Sequence, residues 1–211
     1  MADLVLYTNP MSRGRIVRWM LEEVGAPCDV RVVAYGTEMR SADYLALNPM
    51  GKVPTLVHGT TVVTECAAIC AYLADAFPDA GLAPPPAARG AYYRWLFFGA
   101  GPVEAAVSNA AMGFRTDDPK QQGMLGYGSL DRVVDTLAGT VAAAPYIAGD
   151  RFTAADVYIG AQLSWGLEFQ TMPERAELRA YVERVTDREP YRRARALDDA
   201  LMAEAGPPPT A

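Results

Sequence analysis

The chain has 211 residues, 51% hydrophobic and 21% charged, with a formal net charge of −6. That balance is a soluble globular protein's, long enough for one large domain or two modest ones, and its acidity argues against a general affinity for nucleic acid. The longest apolar runs, such as WLFFGAGPV, fall far short of the roughly 20 residues a bilayer span needs, and the opening MADLVLYTNP lacks a signal pattern. No membrane partner and a cytoplasmic location are expected.

Residues 4–7, LVLY, read as a short apolar strand. SRGRIVRWMLEEVG then places Ile16, Val17, Met20, Leu21 and Val24 at helical spacing, with Gly25 as the stop. DVRVV alternates like a second strand. SADYLALNP reads as a short helix capped by Ser41, and TLV and TVV flank HGT as a hairpin. ECAAICAYLADAF is a third helix ending before Pro78. The order β-α-β-α-β-β-α predicts a mixed sheet, with a parallel crossover and an antiparallel hairpin at its edge.

PDAGLAPPPAARG, rich in proline, glycine and alanine, is the obvious linker. The expected organisation is a domain over 1–78, a linker over 79–88, an all-α domain over 89–204 and a loose tail over 205–211. Helices are expected at 89–113, 119–143, 154–167, 174–187 and 190–204, with Gly99, Gly101 and Pro102 bending the first. FTAADV is a helix start: Thr153 caps, Asp156 reaches back, and Phe152 and Val157 form a hydrophobic staple.

Three cysteines, Cys28, Cys66 and Cys70, are too few for a disulfide framework. Cys66 and Cys70 share a helix face, but the sole histidine, His58, falls at the hairpin tip. Free thiols and no metal are therefore expected.

The stretch NPMGKVPTL sets Pro54 before an apolar strand, where proline cannot join a ladder. A cis Val53–Pro54 bond would turn the chain into the strand and leave the Val53 main chain facing outward. Such a rim can pair with an extended peptide. Next comes TEC, with Glu65 and Cys66 at the start of a helix. Helix N-termini attract carboxylates, and Glu65 can accept bonds from an ammonium group, so the pair suits an α-amino acid head.

LVLYTNPMSRGRIVRWMLEE, NPMGKVPTL, the TEC helix start and FTAADV, in this order, resemble a bacterial glutathione transferase along essentially the whole chain. The resemblance implies a thioredoxin-like domain followed by an all-helical domain, usually in a homodimer. It implies glutathione as co-substrate, Val53 pairing with the cysteinyl backbone beside cis Pro54, and Glu65 and Cys66 holding the γ-glutamyl head. Lys52 and Arg40 match positions that meet the glycyl carboxylate or the peptide. Cys66 stands where the family usually has serine, exchanging a good donor for a weak one, a loss of about 1 kcal/mol.

Glutathione acts through its thiolate, so the first turn must supply hydrogen bonds and positive potential. Ser12, at the start of the first helix, corresponds to the hydroxyl of serine-type members. Tyr7 corresponds to that of tyrosine-type members, and Thr8 or Asn9 with main-chain N–H groups are further candidates. Arg13 and Arg15 add local positive charge. For a hydrophobic electrophile the candidate wall is Met11, Tyr93, Phe97, Met112, Phe114 and Trp165, and Glu104 is a candidate to reach the γ-glutamyl ammonium across a dimer. The expected reaction is attack of the thiolate on an electrophilic carbon. The alternatives are a glutathione-dependent disulfide oxidoreductase and a non-catalytic binding or scaffold protein of the same fold.

Overall fold

The computed structural model describes residues 3–205. Apart from Ala205, the tail expected over 205–211 lies outside the described residues. The chain forms two compact units, one running to Ala80 and resuming at Arg188, the other spanning Gly81–Asp187.

The first unit follows the expected order: β1 Leu4–Thr8, α1 Gly14–Val24, β2 Asp29–Val32, α2 Ala42–Leu47, β3 Thr55–His58, β4 Thr61–Thr64 and α3 Cys66–Ala76, with a short 3-10 turn at Glu38–Arg40. The sheet order is β2-β1-β3-β4, with β1 parallel to β2 and antiparallel to β3. Leu4, Leu6 and Thr8 are buried while Val5 and Tyr7 are half-buried, the two-residue period of a strand with unlike faces. Ile16, Val17, Met20 and Leu21 make the buried stripe of α1, which ends on Gly25 at φ 65. This is the thioredoxin-like half of the expected fold.

The helix expected at the end of the helical domain packs on the first unit instead. This helix, α10 Glu189–Ala205, comes after every element of the second unit in the chain. Arg18 of α1, itself buried, donates to Asp198 at 3.3 Å. Arg188 makes two 2.7 Å bonds to Glu23, and Trp19 meets Tyr191 edge-on at 4.8 Å. Charges buried beside α1 need partners, and α10 supplies them.

The second unit is helical: α4 Gly90–Phe98, α5 Glu104–Ala111, α6 Pro119–Met124, α7 Leu130–Ala143, α8 Ala154–Glu168 and α9 Ala176–Thr186. A π turn at Gly99–Val103 joins α4 to α5, where Pro102 removes a donor. A Cβ on Gly99 would crowd Ile159, Tyr158 and Gln162 of α8, so glycine permits the close crossing. The helix expected over 119–143 is two helices. Gly123, Gly126 and Gly128 weaken the run, Gly128 turns at φ 70, and Ser129 caps α7 by accepting from Arg132 N. The FTAADV box forms as expected: Asp156 is fully buried and accepts from Thr153 N at 2.9 Å and Ile147 N at 2.8 Å. The Tyr181 hydroxyl adds a bond at 2.8 Å, while burial raises the Asp156 pKa.

Candidate functional site

In the first unit, β1, β3 and the N-terminus of α3 converge. The register sets Tyr7 opposite Thr55, so the turn that follows β1 and the loop that precedes β3 lie at the same end of the sheet. The Cys66 thiol donates to the Arg13 carbonyl at 3.5 Å, joining the first turn of α3 to the start of α1. NPMS, KVP and TEC, far apart in sequence, thus share one end of the unit.

The Val53–Pro54 peptide is cis. Pro54 is buried and Val53 half-buried, its side chain packed with Tyr7 on Val33, Met39 and Tyr44. Among the described residues no hydrogen bond engages the Val53 main chain. The neighbouring Lys52 carbonyl, by contrast, is fixed by two donors: the Tyr44 hydroxyl at 2.6 Å and Asn48 Nδ2 at 2.8 Å. Tyr44 also meets Thr55 Oγ1 at 3.0 Å. Tyr44 and Asn48 belong to the site's frame, yet neither was legible as such. Asn48 announces only a helix end, and Tyr44 only an apolar position.

The turn after β1 is equally tied. Asn9 donates to the Val33 carbonyl at 3.0 Å and accepts from Met11 N at 3.0 Å, so its amide is committed to the loop. Ser12 Oγ donates to the Asn9 carbonyl at 2.6 Å and accepts from Gly14 N at 3.0 Å. It therefore stands on the first helical N–H groups of α1, where the helix dipole is positive. Tyr35 closes the rim, donating to the Met11 carbonyl at 3.2 Å. Burial raises its pKa, and the Ser12 hydroxyl pulls the other way. Nothing in the sequence pointed to Tyr35.

Thr8 and Tyr7 point to opposite sheet faces. Thr8 Oγ1 is buried against Gly14, where any Cβ would overlap it, and has no hydrogen-bond partner among the described residues. The Tyr7 ring lies with Tyr44 at 6.0 Å, and its hydroxyl accepts from Arg31 at 3.1 Å. Ser12 and Tyr7 are thus not brought together.

Glu65 is exposed, at φ 66 and ψ 120, a conformation that disfavours every residue except glycine and costs on the order of 1–3 kcal/mol. It directly precedes the buried Cys66, whose N–H opens α3. Arg40 and Lys52 are exposed, and among the described residues neither side chain has a hydrogen-bond or ion-pair partner. The result is a pair of unengaged cations, a bare stretch of main chain, a helix N-terminus and a strained carboxylate. Such a set can hold a short peptide with charged ends.

The candidate wall residues are described unit by unit. Met11 is 58% exposed on the first. On the second, Tyr93 and Phe97 stand one turn apart on α4, Met112 and Phe114 follow α5, and all four are exposed. Trp165 is half-buried in α8. Glu104 opens α5 and is within 3.5 Å of the Ser108 hydroxyl. Cys66 and Cys70 are buried and Cys28 half-buried, all as free thiols.

The pattern of the glutathione S-transferase N-terminal domain family matches residues 11–76. Glutathione S-transferase GstA of Escherichia coli O157:H7 is 31% identical over 166 residues, covering 77% of this chain and 78% of that one. The crystal structure of a glutathione transferase from Methylococcus capsulatus str. Bath aligns with a TM-score of 0.77 at 28% identity, covering 93% of this chain and 99% of that one. A theta-class glutathione S-transferase from Xanthomonas axonopodis pv. citri, solved with glutathione bound, aligns with a TM-score of 0.72 at 28% identity, covering 92% and 97%.

Proposed function

Because the chain belongs to the glutathione S-transferase family, we propose that it binds glutathione on its first unit and joins it, through the thiolate sulfur, to the carbon of a hydrophobic electrophile as the electrophile's leaving group departs. The Val53 main chain carries this reading. It is unengaged among the described residues, held rigid through the Lys52 carbonyl, and at the same sheet end as Ser12 and Glu65. A cysteinyl residue pairs with that main chain as one more strand. The γ-glutamyl carboxylate meets the N–H groups that open α3, and its ammonium meets Glu65. Lys52 and Arg40 receive the glycyl carboxylate. Cys66 gives its main-chain N–H to the head group, while its thiol remains a weak donor.

Ser12 is the residue we assign to the sulfur. Its hydroxyl turns its proton from the Asn9 carbonyl to the thiolate while still accepting from Gly14 N. The dipole of α1 adds to the preference for the anion, each pKa unit of which is worth about 1.4 kcal/mol. Tyr7, with its hydroxyl on Arg31 and its ring on the other sheet face, is the poorer candidate. The apolar second substrate we assign to exposed aromatic side chains of the second unit, Tyr93 and Phe97 foremost. A homodimer and a cytoplasmic location belong to the same reading.

The test is retention on immobilised glutathione, followed by assay with 1-chloro-2,4-dinitrobenzene and with hydroxyethyl disulfide. Retention with turnover of the aryl halide is expected. Turnover of the disulfide alone would make the protein a reductase, and absence of retention would make it a scaffold.

A further inference from the structure

The loop that follows β2 runs beside the one that follows β1. Thr8 is opposite Val32 in the parallel register, and Val33 N donates to the Thr8 carbonyl at 2.8 Å. Asn9 Nδ2 returns to the Val33 carbonyl at 3.0 Å. Val33 is buried and Ala34 N donates to Glu38 at 2.6 Å, so the main chain leading into residue 35 is fixed. Tyr35 itself is 57% exposed, yet its hydroxyl is engaged, donating to the Met11 carbonyl at 3.2 Å.

That carbonyl and the Ser12 N–H belong to one peptide group, and peptide groups are planar. The Ser12 N–H donates to the Asn9 carbonyl at 3.0 Å. The plane is therefore held at its oxygen by Tyr35 and at its nitrogen by Asn9. The Asn9 carbonyl accepts from the Ser12 hydroxyl as well, at 2.6 Å. It stays bonded to the Ser12 N–H when the hydroxyl proton turns away, so the turn is inexpensive while the Ser12 main chain keeps its place. Small displacements of a reacting group are costly in rate. Tyr35 also faces the Ser12 hydroxyl and the positive charge of Arg13, and burial holds its phenol above the ordinary 10.0. The donor thus keeps its proton throughout the range in which a bound thiol ionises.

We propose that Tyr35 is a positioning residue for thiolate activation: by fixing the Met11–Ser12 peptide it keeps the Ser12 hydroxyl directed at the sulfur. Resting on the glutathione reading above, this role gives the first turn a side chain that acts through Ser12.

The experiment compares wild type, Tyr35→Phe, Ser12→Ala and the double variant, full-length and saturated with glutathione. Thiolate absorbance against pH gives the apparent pKa of the bound thiol, and turnover of 1-chloro-2,4-dinitrobenzene gives kcat and KM across the same range. Tyr35→Phe is expected to raise that pKa by about 0.7 and to lower kcat about fivefold at pH values below it. Glutathione KM should stay near wild type, and the two rates should converge at higher pH. In the Ser12→Ala background the same substitution should change neither quantity. The ring is kept and exposed, and circular dichroism checks the fold of each variant. An unchanged pKa, a rate loss equal at every pH, or an equal effect without the Ser12 hydroxyl would each overturn the role of Tyr35. No thiolate signal from wild type would instead overturn the glutathione reading, and this role with it.

Discussion

The Tyr44 hydroxyl donates to the Lys52 carbonyl at 2.6 Å, two residues before Pro54, which introduces β3. This bond acts on a loop rather than on a ligand. Lys52 is exposed, and its carbonyl is anchored, while the next main-chain groups, those of Val53, are unengaged among the described residues.

Tyr44→Phe removes the donor while keeping the ring in its apolar cluster. Glutathione KM is expected to rise about fivefold, the loss of one hydrogen bond worth about 1 kcal/mol, with kcat little changed. Steady-state kinetics at varied glutathione decide it. An unchanged KM would mean that Asn48, which donates to the same carbonyl at 2.8 Å, holds the loop alone.

Ser12→Ala is expected to lower turnover of 1-chloro-2,4-dinitrobenzene by some tens-fold, with glutathione binding little altered. The apparent pKa of bound glutathione, read from thiolate absorbance against pH, should rise toward the free value of about 8.5. Tyr7→Phe should leave both measurements near wild type, because that hydroxyl is committed to Arg31 at 3.1 Å. The reverse pattern would move the catalytic role to Tyr7.

Gly14→Ala tests the packing of α1 on β1. The added methyl overlaps Thr8 Oγ1 and also meets Ser12 Oγ at 3.1 Å. Overpacking of this kind costs about 1–3 kcal/mol. A lower midpoint in urea unfolding with an unchanged slope is the expected result. Wild-type stability would show that Thr8 rotates away freely.

Cys28 has its thiol pKa pushed by burial from the ordinary 9.0 to about 11. The fold prefers the neutral thiol, so this contribution to stability is full below pH 9 and is lost as pH rises toward 11. Alkylation by iodoacetamide, mapped by peptide mass, should climb about tenfold per pH unit past pH 9 without levelling. A plateau at pH 9 would place Cys28 in water.

Much of this was readable beforehand because it is local. A short apolar run pointed to β1, alternation to β2 and helical spacing to α1, the turn residues marked the hairpin, and Thr153 with Asp156 marked the start of α8. What escaped was tertiary. Tyr44 and Asn48 converge on one carbonyl only once the loop is folded. The positive φ of Glu65 belongs to a residue type that gives no sign of it. Arg18 and Asp198 lie 180 positions apart, and no periodicity joins them. The break between α6 and α7 was written in Gly123, Gly126 and Gly128, which the single helix expected over 119–143 left out of account.

The first compact unit is assembled from an early and a late segment of the chain, since α10 supplies Asp198 to Arg18 and Arg188, just ahead of α10, bonds Glu23. A ribosome delivers the early end long before the late one. Throughout that interval Trp19, Arg18 and Glu23 await their counterparts, and the whole second unit has emerged before they arrive. Packing of the first unit is therefore completed only after residues 188–198 have been made, and a stop codon ahead of residue 188 would leave it without its clasp.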